Sequence, residues 1–173
     1  MCMTYVGTLP GESTVSEQPA KCPLTITQHI HAPRHEVYAA LIDQAAVQQW
    51  MVPDGMTSEV HHFEAREGGQ FRISLTYDAP TDTGKTTAQT DTHHGRFVSL
   101  IPDERVVQAV EFETDDPSMQ GEMIITYVLA DAPDGGTDLH AAHEHLPAGI
   151  SPENNATGWR MSLGKLARLV EGG

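Results

Sequence analysis

The residues that stand out as capable of chemistry are the histidines, of which the chain has ten. His143 and His145 lie two residues apart in a segment that alternates apolar and polar residues, so on a β-strand both imidazoles would project from one face. Two imidazoles on one face could bind zinc or iron if a neighbouring strand supplied a third ligand. The sequence has no HExxH or CxxC motif and no obvious third ligand. We therefore expect a histidine at the strand end that faces solvent or the mouth of a cavity, and neither a metal nor a cofactor.

Two further pairs of histidines are adjacent in the sequence, His61-His62 and His93-His94. Neighbouring residues of a strand face opposite sides of the sheet, so the two members of a pair cannot chelate one ion well. We interpret both pairs as parts of a solvated sheet edge.

A second candidate for chemistry is a trio of polar residues in strands that are otherwise apolar. Gln108 shares the face of Val110 and Phe112 at period two. Tyr127 and His143 fall at inward positions of two later strands. Such a trio could orient a carbonyl group or transfer a proton as a general acid or base. The alternative is that Gln108 bonds to Tyr127 or to a water and has no further role. We assign no catalytic residue.

Composition and charge limit the partners of these residues. Of 173 residues, 39% are hydrophobic, and 15 more are glycine, as in an ordinary folded chain. The 10 Lys and Arg against 24 Asp and Glu give a net charge of −14, which repels phosphate backbones and anionic lipid. We expect neither nucleic acid nor a membrane as a partner. No signal-like segment precedes Lys21, and both cysteines, Cys2 and Cys22, are near the N-terminus, so we expect a cytoplasmic protein.

The chain divides into an N-terminal arm and one domain. Residues 1–22 contain Gly, Pro, Ser and Thr without any apolar period, which predicts a disordered arm. Every periodic segment falls within residues 23–173, which we predict to form a single domain.

The periodic segments of that domain predict an α+β fold. Alternation over residues 24–31 predicts a strand, after which Pro33 and Asp43 open two short helices. Six more alternating segments follow between residues 60 and 145, and their hairpin-length turns imply an antiparallel sheet. After Pro147 the period changes to 3.6, which predicts a long C-terminal helix.

Two glycines interrupt the predicted C-terminal helix, Gly158 and Gly164. Each is about 1 kcal/mol less favourable than alanine in a helix interior. Two such residues in one helix indicate either a close approach to a strand or space left for something else.

Several short motifs occur in a fixed order along the domain, and the set matters more than any member. It covers about residues 24–171. The motifs are Ala32-Pro33, Trp50 at a helix end, the Gly55 turn, Glu67-Gly68-Gly69-Gln70-Phe71, Gly95, Pro102 before Arg105-Val106-Val107, Gly135-Gly136-Thr137-Asp138-Leu139, and Gly158-Trp159 followed by Leu163. This ordered set resembles the START-like superfamily, also called SRPBCC, and within it the homologues of the activator of the Hsp chaperone ATPase (AHSA-like).

The resemblance implies a helix-grip fold, in which a curved antiparallel sheet of about seven strands wraps around the C-terminal helix. In that family the space between sheet and helix is often a cavity for an apolar or amphipathic molecule. The chain departs from the family pattern where Trp50-Met51 replaces paired tryptophans and Val110 replaces another tryptophan. Both replacements are smaller, so a different or roomier interior is expected.

From this resemblance we expect the protein to bind a small hydrophobic or amphipathic molecule in that cavity. Trp50 and Trp159 have the alternative interpretation of ordinary core anchors. The expected wall, with Gln108 and His143 as its polar members, consists of Trp50, Phe71, Ile73, Gln108, Val110, Phe112, Ile125, Tyr127, His143, Trp159 and Leu163.

Two other functions stay open at this point. Polyketide cyclases of the superfamily imply a cyclase- or hydrolase-like enzyme that uses polar cavity residues. The co-chaperones imply a partner of the chaperone ATPase, although the resemblance covers only the helix-grip domain. The sequence is also compatible with a homodimer.

Overall fold

The computed structural model describes residues 23–80 and 84–172. The arm predicted over residues 1–22, with Cys2 and Cys22, lies outside the described residues. The elements in chain order are β1 (Leu24–Ile30), α1 (Arg34–Leu41), α2 (Gln44–Trp50), β2 (Met56–Phe63), β3 (Gln70–Tyr77), β4 (Thr90–Ile101), β5 (Arg105–Phe112), β6 (Met123–Asp131), β7 (Thr137–Glu144) and α3 (Pro152–Val170).

The seven strands form one antiparallel sheet in the order β1-β7-β6-β5-β4-β3-β2. The sheet curls into a half-barrel around the C-terminal helix α3, and the two short helices follow the first strand. This arrangement confirms the predicted α+β helix-grip fold. Only β1 and β2 are edge strands among the described elements.

Local sequence explains where two of the helices begin. The Asp43 carboxylate accepts a hydrogen bond from the Ala46 N–H at 2.8 Å, which caps α2. The Ser151 hydroxyl accepts from the Asn154 N–H at 3.3 Å, and Pro152 occupies the first turn of α3. The Asp43 cap lies where the sequence predicts it.

One hydrophobic core joins the sheet to the helices. Leu163 and Leu166 of α3 are fully buried in it together with Phe97 and Tyr127 of the sheet. Trp50 at the end of α2 belongs to the same core and is 1% exposed. The end of the half-barrel that these residues occupy is therefore filled by side chains.

Two strand details differ from the sequence expectation. β2 begins at Met56 instead of residue 60, because residues 56–59 pair with β3, although residues 57–59 have polar side chains. A glycine inside an alternating segment indicates a bulge, as at Gly95, yet the irregularity of β4 falls at Val98, which the register with β5 skips. Gly95 lies in regular pairing with Phe71 of β3, where an added Cβ would meet the Ala109 carbonyl oxygen and lie 2.7 Å from Phe71 Cζ.

Across residues 23–80 and 84–172, the helices are all too short or too polar to cross a membrane.

Candidate functional site

A cavity of about 550 Å³ lies between the concave face of the sheet and the first half of α3. Strands β3 to β7 supply one wall, and the α2–β2 connection and α3 supply the other. The cavity is partly open to solvent. Its size falls in the range of roughly 300–1,000 Å³ that small-molecule sites occupy.

The structure divides the eleven residues that the sequence analysis placed on the cavity wall into two groups. Five of them lie in the packed core at the other end of the half-barrel, and none of the five is more than 3% exposed. The six on the cavity wall are Gln108, Val110, Phe112, Ile125, His143 and Trp159. The five in the core are Trp50, Phe71, Ile73, Tyr127 and Leu163.

His143 is the residue of β7 that lines the cavity. It is 3% exposed, and its Nδ1 lies 3.1 Å from the Asn155 side-chain amide nitrogen of α3. The amide donates to Nδ1, so the imidazole proton resides on Nε2, which has no partner among the described residues. The edge of the Trp159 indole packs against the imidazole, with ring centres 4.7 Å apart. Burial lowers the pKa of His143 to about 4, so the ring is neutral at physiological pH.

His93 also lines the cavity, which corrects the interpretation of His93-His94 as a solvated edge. β4 is an interior strand, so one member of the pair must face the concave side. His93 is that member: it is 8% exposed and lies between the rings of Phe71 and Phe112. Burial lowers its pKa to about 4. His94 faces outward, whereas His61 and His62 are exposed on the true edge strand β2.

The expectation that His143 and His145 share one strand face is wrong. β7 ends at Glu144, and His145 has a φ of 60°, in the left-handed region, and is exposed. The turn in the backbone separates the two imidazoles, so they form no chelating pair.

The predicted polar trio is not assembled on the wall either. The Tyr127 hydroxyl is buried outside the cavity and has no hydrogen-bond partner among the described residues, so Gln108 does not bond to it. Burial raises the pKa of this hydroxyl far above its usual value. Only Gln108 and His143 of the three face the same cavity.

An ion pair at the cavity wall was missed by the sequence analysis. Lys85 Nζ lies 2.7 Å from the Asp91 carboxylate and 5.0 Å from the centre of the Phe112 ring. Asp91 is 4% exposed, so the ion pair lies largely out of contact with solvent on the Asp91 side. The sequence signal for this ion pair was weak, because Lys85 lies before β4 in a segment that shows no alternation of apolar and polar residues.

Methionine is the second group that the sequence analysis did not single out. All five methionines within the described residues line the cavity. They come from the α2–β2 connection, β2, the β5–β6 connection, β6 and α3, in that order: Met51, Met56, Met119, Met123 and Met161.

Gly158 and Gly164 differ in their relation to this cavity. Apart from the backbone of its own helix, a Cβ at Gly158 would meet only Pro53 Cγ at 3.6 Å, and one at Gly164 only the side-chain Nη1 of Arg168 at 3.7 Å. Neither glycine is required by a close approach to a strand. Gly158 lines the cavity and leaves space there, whereas Gly164 does not line it.

We expect alanine at either glycine to stabilise the protein. Gly158→Ala and Gly164→Ala should each raise the free energy of unfolding by about 0.5–1 kcal/mol, because alanine has the higher helix propensity and meets no clash. Urea titration followed by circular dichroism measures the change. A variant less stable than the parent would show that α3 needs the glycine.

Comparison with known proteins places the fold in a family. The family model described as "Activator of Hsp90 ATPase homolog 1-like protein" matches residues 31–171. The chain belongs to this family. No curated protein gives a significant match.

Solved structures agree with membership of the Hsp90-activator homolog family. Protein CV1439 from Chromobacterium violaceum is 32% identical, with a TM-score of 0.74 over 86% of this chain and 97% of its own. A protein from Rhodobacter sphaeroides is 21% identical, with a TM-score of 0.72 over 90% and 96% of the two chains. A protein from Staphylococcus epidermidis is 16% identical, with a TM-score of 0.69 over 91% and 94%. The last two show the fold alone.

The fold of the Hsp90-activator homolog family is typically a ligand-binding fold. Met51 and Val110, the two positions at which the sequence resemblance predicts a roomier interior, both line the cavity. A tryptophan at either position would occupy part of that space.

Proposed function

We propose that this member of the Hsp90-activator homolog family binds a small, mainly apolar molecule in the cavity between the sheet and α3. The observation that carries the proposal is the cavity itself, about 550 Å³ in volume, in a domain whose other end is tightly filled. Small-molecule sites combine such a mainly apolar wall with a few placed polar groups. Val110, Phe112 and Ile125 supply apolar surface here, while Gln108 and His143 are polar.

The polar groups favour a ligand that carries a hydrogen-bond acceptor. His143 holds its proton on Nε2, and this buried donor lacks a partner. A buried donor without a partner is unfavourable by about 1–3 kcal/mol. A carbonyl, ether or hydroxyl oxygen that packs against β7 would remove that penalty. We therefore include an oxygen acceptor in the proposed ligand class.

The methionines favour a wall that adapts to the shape of its ligand. Methionine is unbranched, has three rotatable bonds and carries a polarizable sulfur that makes favourable contacts with aromatic rings. Met51, Met119 and Met161 reach the cavity from three separate segments. This lining suits a planar aromatic ligand better than a rigid aliphatic wall would.

The test compares substitutions at the two glycines of α3. Gly158→Leu places a side chain on the cavity wall, and Gly164→Leu adds the same side chain to the same helix away from the cavity. With Nile red, a neutral aromatic dye with a carbonyl group, we expect saturable binding to the parent protein. Gly158→Leu should weaken it at least tenfold, and Gly164→Leu should leave it unchanged.

Two results would overturn the proposal. One is the absence of saturable dye binding to the parent protein together with no bound small molecule in native mass spectra of the freshly purified protein. The other is equal dye affinity of the Gly158→Leu and Gly164→Leu variants, since it would place the dye outside the cavity. Circular dichroism of both variants establishes that each is folded.

A further inference from the structure

A cluster of metal-ligating side chains lies at the sheet edge, where β1 ends beside the β6–β7 turn. His29 is in β1 and pairs in register with Asp138 of β7, and His31 follows the end of the same strand. Asp134 is in the turn before β7. One ligand atom from each of His29, His31 and Asp134 lies within 4.8 Å of the other two. None of these residues lines the cavity, so the cluster is independent of the proposed function.

The spacing of the ligand atoms matches that of a metal-coordination sphere. Asp134 Oδ2 lies 2.9 Å from His29 Nε2 and 3.2 Å from His31 Nδ1. Two ligands that are each about 2.1 Å from an ion, at angles of roughly 90° to 109°, lie about 3.0–3.4 Å apart. An ion could therefore enter between the three atoms with small side-chain rotations. His31 is the most exposed of the three and has the freedom to rotate.

Neighbouring groups already hold two of the ligands in the orientation that binding requires. Asp138 Oδ1 lies 2.7 Å from His29 Nδ1 and accepts its proton, while Nε2, which donates to Asp134 Oδ2 at 2.9 Å, would give up its proton to an entering ion. The Gly136 N–H donates to Asp134 Oδ1 at 2.9 Å, which turns Oδ2 towards the imidazoles. A carboxylate behind a ligating histidine is the usual arrangement at metal sites.

The third ligand is fixed through its backbone. The His31 N–H donates to the Glu171 carboxylate at 2.8 Å, just beyond the end of α3. The site thus joins β1, the β6–β7 turn and the end of the C-terminal helix.

We propose that His29, His31 and Asp134 bind one divalent late transition-metal ion, of the class of Zn²⁺. Two imidazoles and one carboxylate suit such an ion, whereas Mg²⁺ and Ca²⁺ prefer oxygen ligands alone. Three protein ligands leave at least one coordination position for water or for a group from another molecule. Because β1 is an edge strand, the bound ion would tie it to the β6–β7 turn.

The test is a Zn²⁺ titration of the full chain, prepared without a histidine tag, by isothermal titration calorimetry. We expect one saturable site per chain. His31→Ala and Asp134→Asn should each lower the affinity at least tenfold, and Asp138→Asn should lower it about 10- to 100-fold by releasing the orientation of His29. His35→Ala removes an exposed histidine outside the cluster and should leave the affinity unchanged.

Cobalt gives a second readout that depends on ligand geometry. Co²⁺ added to the parent protein should produce visible absorption from a nitrogen- and oxygen-ligated ion, and His31→Ala should abolish it. The proposal is overturned if the parent binds no Zn²⁺ saturably, or if His31→Ala and Asp134→Asn bind it as the parent does. The substituted side chains are exposed, and circular dichroism establishes that the variants fold.

Discussion

Below pH 6.5 the protein is expected to lose stability through two buried histidines. Burial lowers the pKa of both His93 and His143 from 6.5 to about 4. Above pH 6.5 both rings are neutral in the folded and unfolded states, so they contribute no pH dependence. As the pH falls towards 4, the unfolded chain binds two protons that the folded chain excludes. Each histidine should then lower the free energy of unfolding by about 1.4 kcal/mol per pH unit.

Between pH 6.5 and about pH 4, the total loss of unfolding free energy is about 3 kcal/mol for each histidine. This is a large part of the stability of a domain of this size. Below about pH 4 the folded state binds the protons too, and this contribution stops growing. Near His93, Asp91 favours the protonated ring and Lys85 opposes it, but both act less strongly than burial.

Urea titrations across this pH range measure the effect. Carboxylates also contribute to the pH dependence, so the informative quantity is the difference in slope between a variant and the parent. His93→Gln and His143→Gln should each make the decline shallower, whereas His145→Gln, at an exposed position just beyond the end of β7, should not. The prediction would be contradicted if the unfolding free energy of His93→Gln and of His143→Gln declined with pH as steeply as that of the parent.

Replacing Trp50 by alanine is expected to cost about 3–5 kcal/mol of unfolding free energy. The side chain is 1% exposed, its Nε1 donates to the Ala40 carbonyl at 2.9 Å, and its ring meets Tyr127 edge-on at 6.5 Å. The substitution would leave a large void and an unpaired carbonyl group. Val128→Ala, at an outward position of β6 that is 41% exposed, should change stability by no more than about 0.5 kcal/mol.

Dye binding separates the structural role of Trp50 from a role in the cavity wall. Trp50→Phe keeps most of the packing volume and should retain the affinity for Nile red, since Trp50 does not line the cavity. If Trp50→Ala does not fold, Trp50→Phe still tests whether Trp50 contributes to dye binding. A loss below about 1 kcal/mol in Trp50→Ala would contradict the role of Trp50 as a core anchor, and a large loss of dye affinity in a folded Trp50→Phe would show that Trp50 lines a ligand site.

The sequence predicted the elements well because each has a strong local signal. Alternation at period two marks the strands, and residues such as Asp43 and Ser151 cap helices through contacts within one turn. The ends of strands were harder to predict where backbone pairing extends beyond the alternating segment. β2 is an example: it begins at Met56 because residues 56–59 pair with β3.

The candidate site was only partly predictable, because it depends on which part of the concave face the helices fill. Alternation places both Tyr127 and Ile125 inward, yet only Ile125 meets the cavity. The side of the sheet from which the His93 side chain projects depends on the register of β4 with its neighbours. Its burial depends on β4 being an interior strand. The two-residue spacing of His143 and His145 also occurs at His29 and His31. There the β6–β7 turn places the Asp134 carboxylate beside the two imidazoles.

The methionine lining makes the cavity sensitive to oxidants. Oxidation of a thioether to a sulfoxide converts a flexible apolar side chain into a polar one. Met161 is 39% exposed and is the first that peroxide would reach, whereas Met51 and Met123 are buried. Progressive oxidation would therefore turn the wall polar from the solvent side inward, and methionine sulfoxide reductases would restore it.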